Sequence, residues 1–585
     1  MDLKFWSRLS PNDDIIVGLT PAHTQNGEEL IDGGACCIAG DRICAVAEER
    51  LTRKKHAGGS EFALSAVLKE CGVQLKDVTH FYVSTCGEPI PLREAAITLS
   101  ADGLHRLADI GTRPDKVRWL PSHHLSHAYA SFETSGLSRA LVLVLDDSGS
   151  ASYTPTDGVG RFKGRWNSTS ELERASCFVA DRISGYTLVK QVHALAPFAG
   201  SYGTMYRYVT DFLGLSGLTE CGKTMALAAY GDSSRFSKLQ LMGCGIDGDV
   251  TCLQGAPEQS VQSVRDLIKA SGYTNVAPCR TKSALKQVHK DLAARAQEEL
   301  ENAVVSMVRH LVDLLGVPDI CLSGGVGLNC VLAGKLLMLP EVRSIFVTAA
   351  PGDTGQPLGN CLYGVRQQGW PIPEQVRTAF LGPSYSSERI RKACETWGCG
   401  LHVQRGNIPQ RVANALASGK IVAVFHGRSE LGPRALGHRS ILADPRGAAT
   451  RDYLNSMVKH REDYRPYGLS VLSEAVEQLV GRQVTSSYMM VALPLFPAWQ
   501  SRLPAVSHVD GSSRIQTVSM KDSQWFRAIL EAFEALTGIP GILNTSFNDA
   551  GEPIVETPED AMLAFTKMEI DALAIEDWYL EKPPI

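Results

Sequence analysis

The chain has 585 residues, of which 44% are hydrophobic and 21% are charged, and its formal net charge is −5. This length predicts at least two domains, and the charge argues against a general nucleic-acid or membrane-surface binding protein. No apolar run approaches the length of a membrane span, and the first residues lack the apolar segment of a signal peptide. The fifteen cysteines show no repeated CxxC pairs, so we expect reduced thiols and a cytoplasmic protein.

The N-terminal region predicts a strand followed by a β-hairpin. Residues 14–19 form the strand, and the apolar runs 34–39 and 43–47 flank the turn residues Gly40 and Asp41. A strand and a hairpin begin an actin-like ATPase half-domain, although any α/β domain can start in this way. The charged segment that follows, residues 48–56, is interpreted as a solvated helix end, with contact to a phosphate as the alternative.

Two histidines define the first candidate site. His123 and His127 are four residues apart, so a helix places both imidazoles on one face, as two ligands of one metal ion require. Asp146 follows the apolar run 140–145, at a strand end where α/β proteins place site residues. Two imidazoles and a carboxylate with open positions are typical of Fe(II), with Zn or Mn as alternatives. Without a metal, the same pattern describes a capped helix with surface histidines.

Two further strands end in glycine-containing turns. Residues 320–329 predict a strand that runs into a glycine-rich turn, and residues 345–355 predict a strand that ends in Pro-Gly-Asp. Glycines let a backbone approach a nucleotide closely, and the N–H groups of a following helix can bind an anion. Asp353, in the second turn, is a candidate fourth metal ligand. Lys223, preceded by a glycine, resembles part of a phosphate loop, but the spacing is not that of a P-loop.

A Pro- and Gly-rich stretch between residues 367 and 385 predicts a domain boundary, which divides the chain into 1–368 and 369–585. Beyond it, arginines recur in turns that contain glycine or proline. Guanidinium groups bind phosphate and carboxylate bidentately, so this pattern predicts a polyanion site, with scattered surface arginines as the alternative. The sequence contains no internal repeat.

Taken together, these blocks resemble the O-carbamoyltransferases of antibiotic, toxin and nodulation-factor biosynthesis, such as the tobramycin carbamoyltransferases. The matching blocks occur in the same order as in that family, and each alone is less specific than the set. They are residues 123–128, 222–231, 323–330, 351–353, 432–446, 544–548 and 551–555.

The resemblance implies an α/β protein with two domains. The N-terminal domain is expected to have the actin-like (ASKHA, Kae1-like) fold of the tRNA threonylcarbamoyl transferases. The C-terminal domain is expected to have the YrdC-like fold of the threonylcarbamoyl-adenylate synthases, an α/β twisted sheet with a charged groove. The implied reaction converts carbamoyl phosphate and ATP to carbamoyl-adenylate in the second domain. The first domain then transfers the carbamoyl group to a hydroxyl of a natural-product acceptor.

The resemblance also implies the cofactors, partners and site residues. The cofactors are Fe²⁺ or another divalent metal and ATP with Mg²⁺, and carbamoyl phosphate is the co-substrate. The partners are small molecules, with no nucleic acid or membrane, and a homodimer is possible for the family. By motif position, the metal ligands are His123, His127, Asp146 and Asp353, and the adenylate contacts are Lys223, Gly324, Gly325 and Asn329. The carbamoyl phosphate and ATP site is implied to comprise Arg434, which is also implied to be catalytic, together with Lys459, Arg465, Arg514, Asn544 and Ser546.

The sequence departs from the family pattern after the first strand. The family usually has a His-Asp pair there, with the histidine as general base, whereas here residues 24–31 separate His23 from Asp32. His23 is expected to be that base on a longer loop, and the alternative is that the loop reshapes the acceptor pocket. A tRNA threonylcarbamoyl-type transferase and an actin-fold sugar kinase are the competing functions. A kinase has no need for the histidine pair and two strand-end aspartates, and a tRNA enzyme usually has a basic surface.

Overall fold

The computed structural model describes residues 14–20, 31–84, 116–150, 153–155, 164–166, 172–193, 201–244, 250–252, 259–280, 284–398 and 400–583. The chain forms two compact units. The first unit comprises Met1–Glu48 and His56–Arg377, and the second comprises Glu49–Lys55 and Thr378–Ile585. The units therefore divide after Arg377, where the sequence placed the boundary after residue 368. The short segment Glu49–Lys55 belongs with the second unit, which the sequence did not indicate.

The described strands of the first unit are β1 Ile15–Leu19, β2 Gly34–Ala39, β3 Arg42–Ala47, β4 His80–Val83, β5 Val117–Trp119, β6 Arg139–Leu145, β7 Tyr153–Pro155, β8 Gly164–Trp166, β9 Glu173–Asp181, β10 Gly185–His193, β11 Met242–Cys244, β12 Val250–Cys252, β13 Asp319–Ser323 and β14 Ser344–Val347. Its helices are α2 Glu61–Glu70, α3 His123–Ser135, α4 Tyr202–Phe212, α5 Cys221–Ala228, α6 Ser260–Ala270, α7 Gln287–Leu315, α8 Cys330–Leu337 and α9 Gln356–Gln367, and α1 Glu48–Thr52 begins in this unit.

The first unit contains the same sheet topology twice. One five-stranded sheet has the order β3-β2-β1-β4-β5, and the other has the order β10-β9-β6-β13-β14. In each sheet the central strand, β1 or β6, pairs antiparallel with the next strand and parallel with a later one. The repeat is one of strand order and direction, which is why the sequence does not reveal it.

The predicted hairpin and its turn are confirmed. Strands β2 and β3 pair antiparallel from Gly34 opposite Ala47 to Ala39 opposite Arg42. The turn between them contains Gly40 in the left-handed region, a conformation in which glycine has no steric penalty. Both strands are almost entirely buried, as their continuous apolar runs predict.

The described strands of the second unit are β15 His402–Arg405, β16 Val422–Phe425, β17 Arg439–Ala443, β18 Gly468–Leu472, β19 Val491–Pro494, β20 Ser512–Val518, β21 Gly541–Ser546, β22 Ala572–Ile575 and β23 Trp578–Glu581. Its helices are α10 Ser387–Trp397, α11 Ile408–Ala417, α12 Ala448–Tyr453, α13 Val476–Val480, α14 Pro497–Arg502, α15 Gln524–Thr537 and α16 Pro558–Lys567. A single π-helical turn, Leu454–Val458, continues α12.

The second unit is built on one mixed sheet of nine strands, in the order β15-β23-β22-β16-β17-β21-β18-β20-β19. Among the pairs of this sheet in the described residues, β16–β22 and β18–β20 are parallel and the others are antiparallel. The helices α11 and α15 present strongly one-sided apolar faces whose residues are buried, so the core of this unit includes helix faces as well as strands. The protein as a whole is a mixed α/β structure with several sheets.

No helix in the described part of the chain combines the length and apolar character that crossing a bilayer requires. The cysteines whose side chains the structure describes are free thiols, and all of them except Cys221 are buried.

Candidate functional site

Helix α3 presents the two predicted metal ligands from its first turn and a half. The Ser122 hydroxyl caps the helix by accepting a hydrogen bond from the Leu125 N–H at 3.0 Å. The helical spacing then brings the Nε2 atoms of His123 and His127 to 3.2 Å from each other. Both side chains are buried, which contradicts the alternative of exposed surface histidines.

Two carboxylates from different strand ends complete the cluster. Asp146 directly follows β6, and its Oδ2 lies 3.2 Å from His127 Nε2. Asp353 lies in the turn between β14 and α9, and its Oδ1 lies 3.2 Å from His123 Nε2 and 3.3 Å from His127 Nε2. Because β6, β13 and β14 are parallel, their carboxyl ends meet at the same edge of the sheet.

The donor set fits a divalent metal ion. One donor atom from each of His123, His127, Asp146 and Asp353 lies within 4.8 Å of the other three. Bonds of about 2.0–2.2 Å from one ion to nitrogen and oxygen ligands place neighbouring ligand atoms roughly 3 Å or slightly more apart. The observed separations of 3.2–3.3 Å match that spacing. Two imidazoles and two carboxylates are ligands that suit iron, manganese or zinc.

A close helix contact brings Asp353 to the histidines. Helix α9 begins just after Asp353 and packs on α3, where a Cβ added to Gly359 would lie 2.1 Å from the Ser126 carbonyl oxygen. A side chain there would push the helices apart. Gln356, at the start of α9, donates a hydrogen bond to the His123 carbonyl at 3.3 Å and accepts one from the Ser84 hydroxyl at 2.7 Å. Gln356 is a supporting residue that the sequence analysis missed.

Beneath the cluster, a buried carboxylate anchors the start of α3. Glu173 accepts hydrogen bonds from the hydroxyls of Ser122 at 2.5 Å and Ser150 at 3.0 Å, and from the His124 N–H at 3.4 Å. Burial raises the pKa of the Glu173 carboxyl, and the bonds from the two serines oppose that shift. The Ser150 hydroxyl also accepts a hydrogen bond from the His123 N–H at 2.9 Å. Glu173 is the first residue of β9, between Leu172 and Arg174, and no motif marks it.

The charges of the cluster are mutually dependent. Burial would lower the pKa of His127, but its contacts with Asp146 and Asp353 raise it overall. Burial would raise the pKa of Asp353, but His123 and His127 hold it below its usual range. His124 points away from the cluster, as its helical position predicts, and its Nδ1 lies 2.8 Å from the Ser176 hydroxyl. Burial keeps the pKa of His124 well below its usual range.

Three of the four predicted adenylate contacts, Gly324, Gly325 and Asn329, directly follow β13, in two different settings. Gly324 has a φ of 82°, and a Cβ there would lie 2.3 Å from the Leu145 carbonyl oxygen, so the turn requires glycine. A Cβ on Gly325 would lie 3.1 Å from Asp146 Oδ1, so this turn adjoins the metal cluster. Asn329 instead caps α8 through the Leu332 N–H at 3.0 Å.

Three other residues that the sequence analysis named in the first unit are Lys223, Asp32 and His23. Lys223, on α5, lies 2.6 Å from Glu220 in an ion pair. Asp32 pairs with His56, whose Nδ1 lies 2.7 Å from Asp32 Oδ1. His23, the predicted general base, lies outside the described residues.

Three of the remaining predicted residues, Arg514, Asn544 and Ser546, lie on β20 and β21, the two strands that pair with β18 in the sheet of the second unit. Asn544 on β21 is opposite Gly468 on β18, which is opposite Arg514 on β20, so the three residues lie in one row. Asn544 is fully buried and donates hydrogen bonds to Ser470 at 3.0 Å and Gln516 at 3.1 Å. The amide of Asn544 is therefore used to organise the sheet.

Lys459 lies against the end of β21. Its ammonium group donates hydrogen bonds to the Ser546 carbonyl at 2.8 Å and to the side chain of Asn548 at 2.9 Å. Burial, together with the positive charges of Arg461 and Arg465, holds the pKa of Lys459 well below its usual range.

Arg461 is a further basic residue, one that the family resemblance did not imply. It stacks over Tyr467, with 4.1 Å from the guanidinium carbon to the ring centroid, and donates to Asn455 at 2.9 Å. Burial lowers its pKa to about 10, and the neighbouring Arg465 and Arg514 contribute to the shift. We call Lys459, Arg461, Arg465 and Arg514 the basic cluster.

Arg434 lies on the loop that joins β16 to β17. A buried carboxylate organises this loop, because Glu430 Oε1 accepts hydrogen bonds from the N–H groups of Leu436 at 2.8 Å, His438 at 2.9 Å and Arg439 at 3.1 Å. Burial alone would raise the pKa of Glu430, but the charges of His438 and Arg439 and these hydrogen bonds lower it. Arg434 itself is partly exposed.

Comparison with known proteins places the chain in a family. A model described as Carbamoyltransferase N-terminus matches residues 104–362, and one described as Carbamoyltransferase C-terminus matches residues 413–582. Nodulation protein NolNO of Sinorhizobium fredii is 33% identical, over 94% of this chain and 79% of its own length. The 3'-hydroxymethylcephem-O-carbamoyltransferase of Amycolatopsis lactamdurans is 29% identical, over 62% of this chain and 65% of its own.

Similar solved structures are distant. Full-length HypF in a phosphate- and nucleotide-bound form is 12% identical with a TM-score of 0.33, over 62% of this chain and 57% of that protein. Component A of the Acidaminococcus fermentans (R)-2-hydroxyglutaryl-CoA dehydratase is 14% identical with a TM-score of 0.30, over 61% of this chain and 99% of that protein. Scores this low do not define the fold. On the sequence matches, the chain belongs to the carbamoyltransferase family and is an enzyme of the carbamoyltransferase type.

Proposed function

We propose that the protein is an ATP-dependent O-carbamoyltransferase that works in two steps. In the first step, carbamoyl phosphate, ATP and one water molecule give carbamoyl-adenylate, phosphate and pyrophosphate. Water cleaves carbamoyl phosphate to carbamate and phosphate, and the carbamate oxygen then attacks the α-phosphorus of ATP and displaces pyrophosphate. In the second step, the hydroxyl of an acceptor attacks the carbamoyl carbon, the bond to AMP breaks, and the hydroxyl proton is transferred to a base. The second unit carries the first step and the first unit carries the second.

The proposal extends to the fold of each unit. The strand order and directions that occur twice in the first unit support an actin-like fold, because such a fold consists of two half-domains of one topology. For the second unit, the mixed nine-stranded sheet with basic residues at one region supports a YrdC-like twisted sheet with a charged groove.

The observation that carries the transfer step is the convergence of His123, His127, Asp146 and Asp353 on a volume the size of one ion. These four side chains would hold a divalent metal, for which iron is our first choice. A bound metal supplies Lewis-acid polarisation of the carbamoyl oxygen. The glycine turn at Gly324 and Gly325 lies beside Asp146 and would let the adenylate approach closely. Lys223 and Asn329 are assigned to the same adenylate by the family motifs, and His23 remains the proposed base.

The basic cluster supports the activation step. Lys459 and Arg461 have lowered pKa values in part because neighbouring cations repel them, and bound phosphate groups would relieve that repulsion. Arg434, Arg465 and Arg514 would bind the phosphates of carbamoyl phosphate and of ATP with Mg²⁺. Asn544 and Ser546 would contribute by orienting the basic side chains. Asn544 is hydrogen-bonded to Ser470 and Gln516 on the strands beside it, and the carbonyl of Ser546 accepts a hydrogen bond from Lys459.

The acceptor is proposed to be a small-molecule alcohol of a biosynthetic pathway. The support is the name of one relative, which describes O-carbamoylation of a hydroxymethylcephem, and the names of others as nodulation proteins. The competing functions differ in acceptor or chemistry: a tRNA threonylcarbamoyl-type transferase would modify tRNA, and a sugar kinase would transfer the γ-phosphoryl group of ATP to a sugar.

The test is a purified-enzyme assay that measures phosphate and pyrophosphate with ATP, Mg²⁺ and carbamoyl phosphate, followed by a screen of alcohol acceptors by mass spectrometry. We expect the formation of both phosphate and pyrophosphate to require carbamoyl phosphate. An accepted alcohol should gain about 43 Da, the mass difference when a carbamoyl group replaces a hydrogen. ADP formed with a sugar and without carbamoyl phosphate would instead identify a kinase.

A further inference from the structure

The charged segment between β3 and α2 has a role that its composition does not indicate. The sequence analysis interprets residues 48–56 as a solvated helix end, but Arg50 is among the largest fully buried side chains of the protein. The interpretation is therefore wrong for Arg50. This residue belongs to the segment Glu49–Lys55, which packs as part of the second unit.

Arg50 holds the backbone of the loop that carries Arg434. Its Nη2 donates hydrogen bonds to the carbonyl oxygens of Glu430 at 3.2 Å and Gly432 at 2.9 Å. The two carbonyls are those on either side of Leu431, so one guanidinium group spans the start of the turn. Arg434 follows only two residues after the second carbonyl.

The side chain of Glu430 holds the part of the loop that follows Arg434. The carboxylate accepts three backbone hydrogen bonds, from residues 436, 438 and 439, and thereby closes the loop across Arg434. Arg50 and Glu430 thus hold the segments before and after Arg434. A loop fixed at both ends presents its central side chain with little freedom, which is how a binding residue is preorganised.

Fixing a loop with a buried guanidinium group has a high free-energy cost. Burial of an unpaired cation is strongly unfavourable, so Arg50 must keep its partners to remain inside. Those partners include the buried carboxylate of Glu556, which lies 3.9 Å from Arg50 Nη1. An apolar residue could fill the same space without needing polar partners. The use of arginine here therefore indicates that its hydrogen bonds to the loop are needed to hold the conformation of that loop.

We propose that Arg50 is a positioning residue for Arg434 and so for the activation of carbamoyl phosphate. The inference rests on the proposed function of Arg434 as a carbamoyl phosphate and ATP ligand. It assigns part of the activation machinery to a residue that precedes the transfer motifs in the chain. Arg53 of the same segment serves as a control, because it donates instead to the carbonyls of Pro553 at 2.8 Å and Ile554 at 2.6 Å.

The experiment compares Arg50→Met, Arg434→Met, the double variant and Arg53→Met, all in the full-length chain. Pyrophosphate release is measured as a function of carbamoyl phosphate concentration, and folding is checked by circular dichroism and thermal unfolding. We expect Arg50→Met to lose at least thirtyfold (about 2 kcal/mol) in kcat/KM for carbamoyl phosphate. The double variant should be no worse than Arg434→Met alone, because a positioning residue acts only through its target. Arg53→Met should keep activity within about threefold.

The possible failures are distinguishable. If Arg434→Met is fully active, the proposed function of Arg434 is wrong. If Arg434→Met is inactive while a folded Arg50→Met keeps its activity, or if the two losses add, the positioning role is wrong. Should Arg50→Met not fold, Arg50→Lys provides the answer, because a single ammonium nitrogen cannot occupy both the position of Nη2 at the two carbonyls and that of Nη1 facing Glu556. A loss of tenfold or more in Arg50→Lys is expected, and activity within twofold of the parent would overturn the inference.

Discussion

The candidate metal ligands His123, His127, Asp146 and Asp353, called here the metal cluster, are supported by side chains that are not themselves candidate ligands. His123 is supported through its own backbone, by Gln356 at its carbonyl and Ser150 at its N–H. Glu173 fixes Ser150 and the helix cap Ser122 in turn. Groups that orient metal ligands in this way commonly contribute about 10- to 100-fold to metal affinity or activity.

The metal prediction is tested at His127. We expect the purified protein to contain about one equivalent of metal, most of it iron, and His127→Ala to lose most of it because one of four donors is gone. Elemental analysis of protein purified without chelator gives the measurement. His124→Asn is the matched control on the same helix, since His124 faces Ser176 instead. Full transfer activity of a metal-free preparation in chelator would contradict the prediction.

A second prediction concerns Arg514 in the basic cluster. Arg514→Ala should retain its fold but lose ATP-dependent pyrophosphate release, at a cost of about 2–5 kcal/mol in binding, because it removes a charged hydrogen-bond partner of the phosphates. Titration with carbamoyl phosphate and ATP measures the loss. Arg391→Ala serves as the control, because that arginine pairs with Glu388 and Glu395 on the surface of α10. Unchanged turnover in Arg514→Ala would remove the residue from the site.

A third prediction is a pH dependence of stability that arises from His438. Burial lowers the pKa of His438 to about 4, although Glu430 opposes the shift. Its Nδ1 lies 2.8 Å from the Arg428 carbonyl and its Nε2 lies 3.0 Å from the Ser523 hydroxyl, an arrangement that one neutral tautomer satisfies. The unfolded chain binds a proton near pH 6.5 and the folded chain does not, so stability falls as the pH drops from about 6.5 toward 4.

From these pKa values the loss at pH 5 relative to pH 7 is about 2 kcal/mol. Urea unfolding of the parent and of His438→Gln at both pH values measures it. The glutamine variant should show a decrease between pH 7 and pH 5 that is smaller by about that amount. Equal decreases in the two proteins would show that His438 does not bind its proton in this range.

At the level of secondary-structure elements, the contact between α3 and α9 helps to bring the four candidate metal ligands together. Three of them lie on α3 or directly after β6, whereas Asp353 lies just before α9, which approaches α3 closely at Gly359. Close approach of two helix backbones requires a small residue at the contact. The glycine is therefore part of the site although it has no side chain.

We predict that Gly359→Ala destabilises the protein by roughly 1–3 kcal/mol, the usual cost of forcing an extra methyl group into a packed interior, and weakens metal retention. Thermal unfolding and elemental analysis are the measurements. Gly222→Ala, on α5, is the matched control, because a Cβ there meets no atom within 4 Å. It should be neutral or stabilising by up to about 1 kcal/mol, since alanine is the better helix former. A Gly359→Ala variant as stable as the control would show that the two helices can separate without cost.

For the whole molecule, the metal cluster lies in the first unit and the basic cluster in the second, so the two half-reactions should be separable by mutation. We predict that His127→Ala still releases pyrophosphate from ATP in the presence of carbamoyl phosphate but makes no carbamoylated alcohol. Arg434→Ala should lose both activities, because no carbamoyl-adenylate is formed. Pyrophosphate and carbamoylated product are measured in parallel for both variants. Equal loss of pyrophosphate release in two folded variants would favour one shared site over this division.

Local patterns were sufficient to predict the elements and most members of the group of histidines and aspartates that the structure brings together. The 3.6-residue period of a helix places His123 and His127 on one face, and the end of an apolar run places Asp146 after a strand, so these predictions need only neighbouring residues. The hairpin at Gly40 and the strands before Gly324 and Asp353 are confirmed for the same reason. The resemblance to the carbamoyltransferases rests on the order of such blocks, and the family matches confirm it.

Only the tertiary structure showed which distant segments meet. Arg50 lies in a charged segment that is typical of a protein surface. Its burial depends on the carbonyl groups of Glu430 and Gly432, which are remote in the chain. Gln356 and Glu173 support the metal cluster through contacts that no local period encodes. The repeated sheet topology is likewise absent from the sequence, because strand order is set by long-range pairing. Short-range periodicity thus determined the helices and strands and the positions of His123, His127 and Asp146 on them. Packing between segments that are remote in the chain decided which other side chains support those residues, because such contacts leave no local pattern.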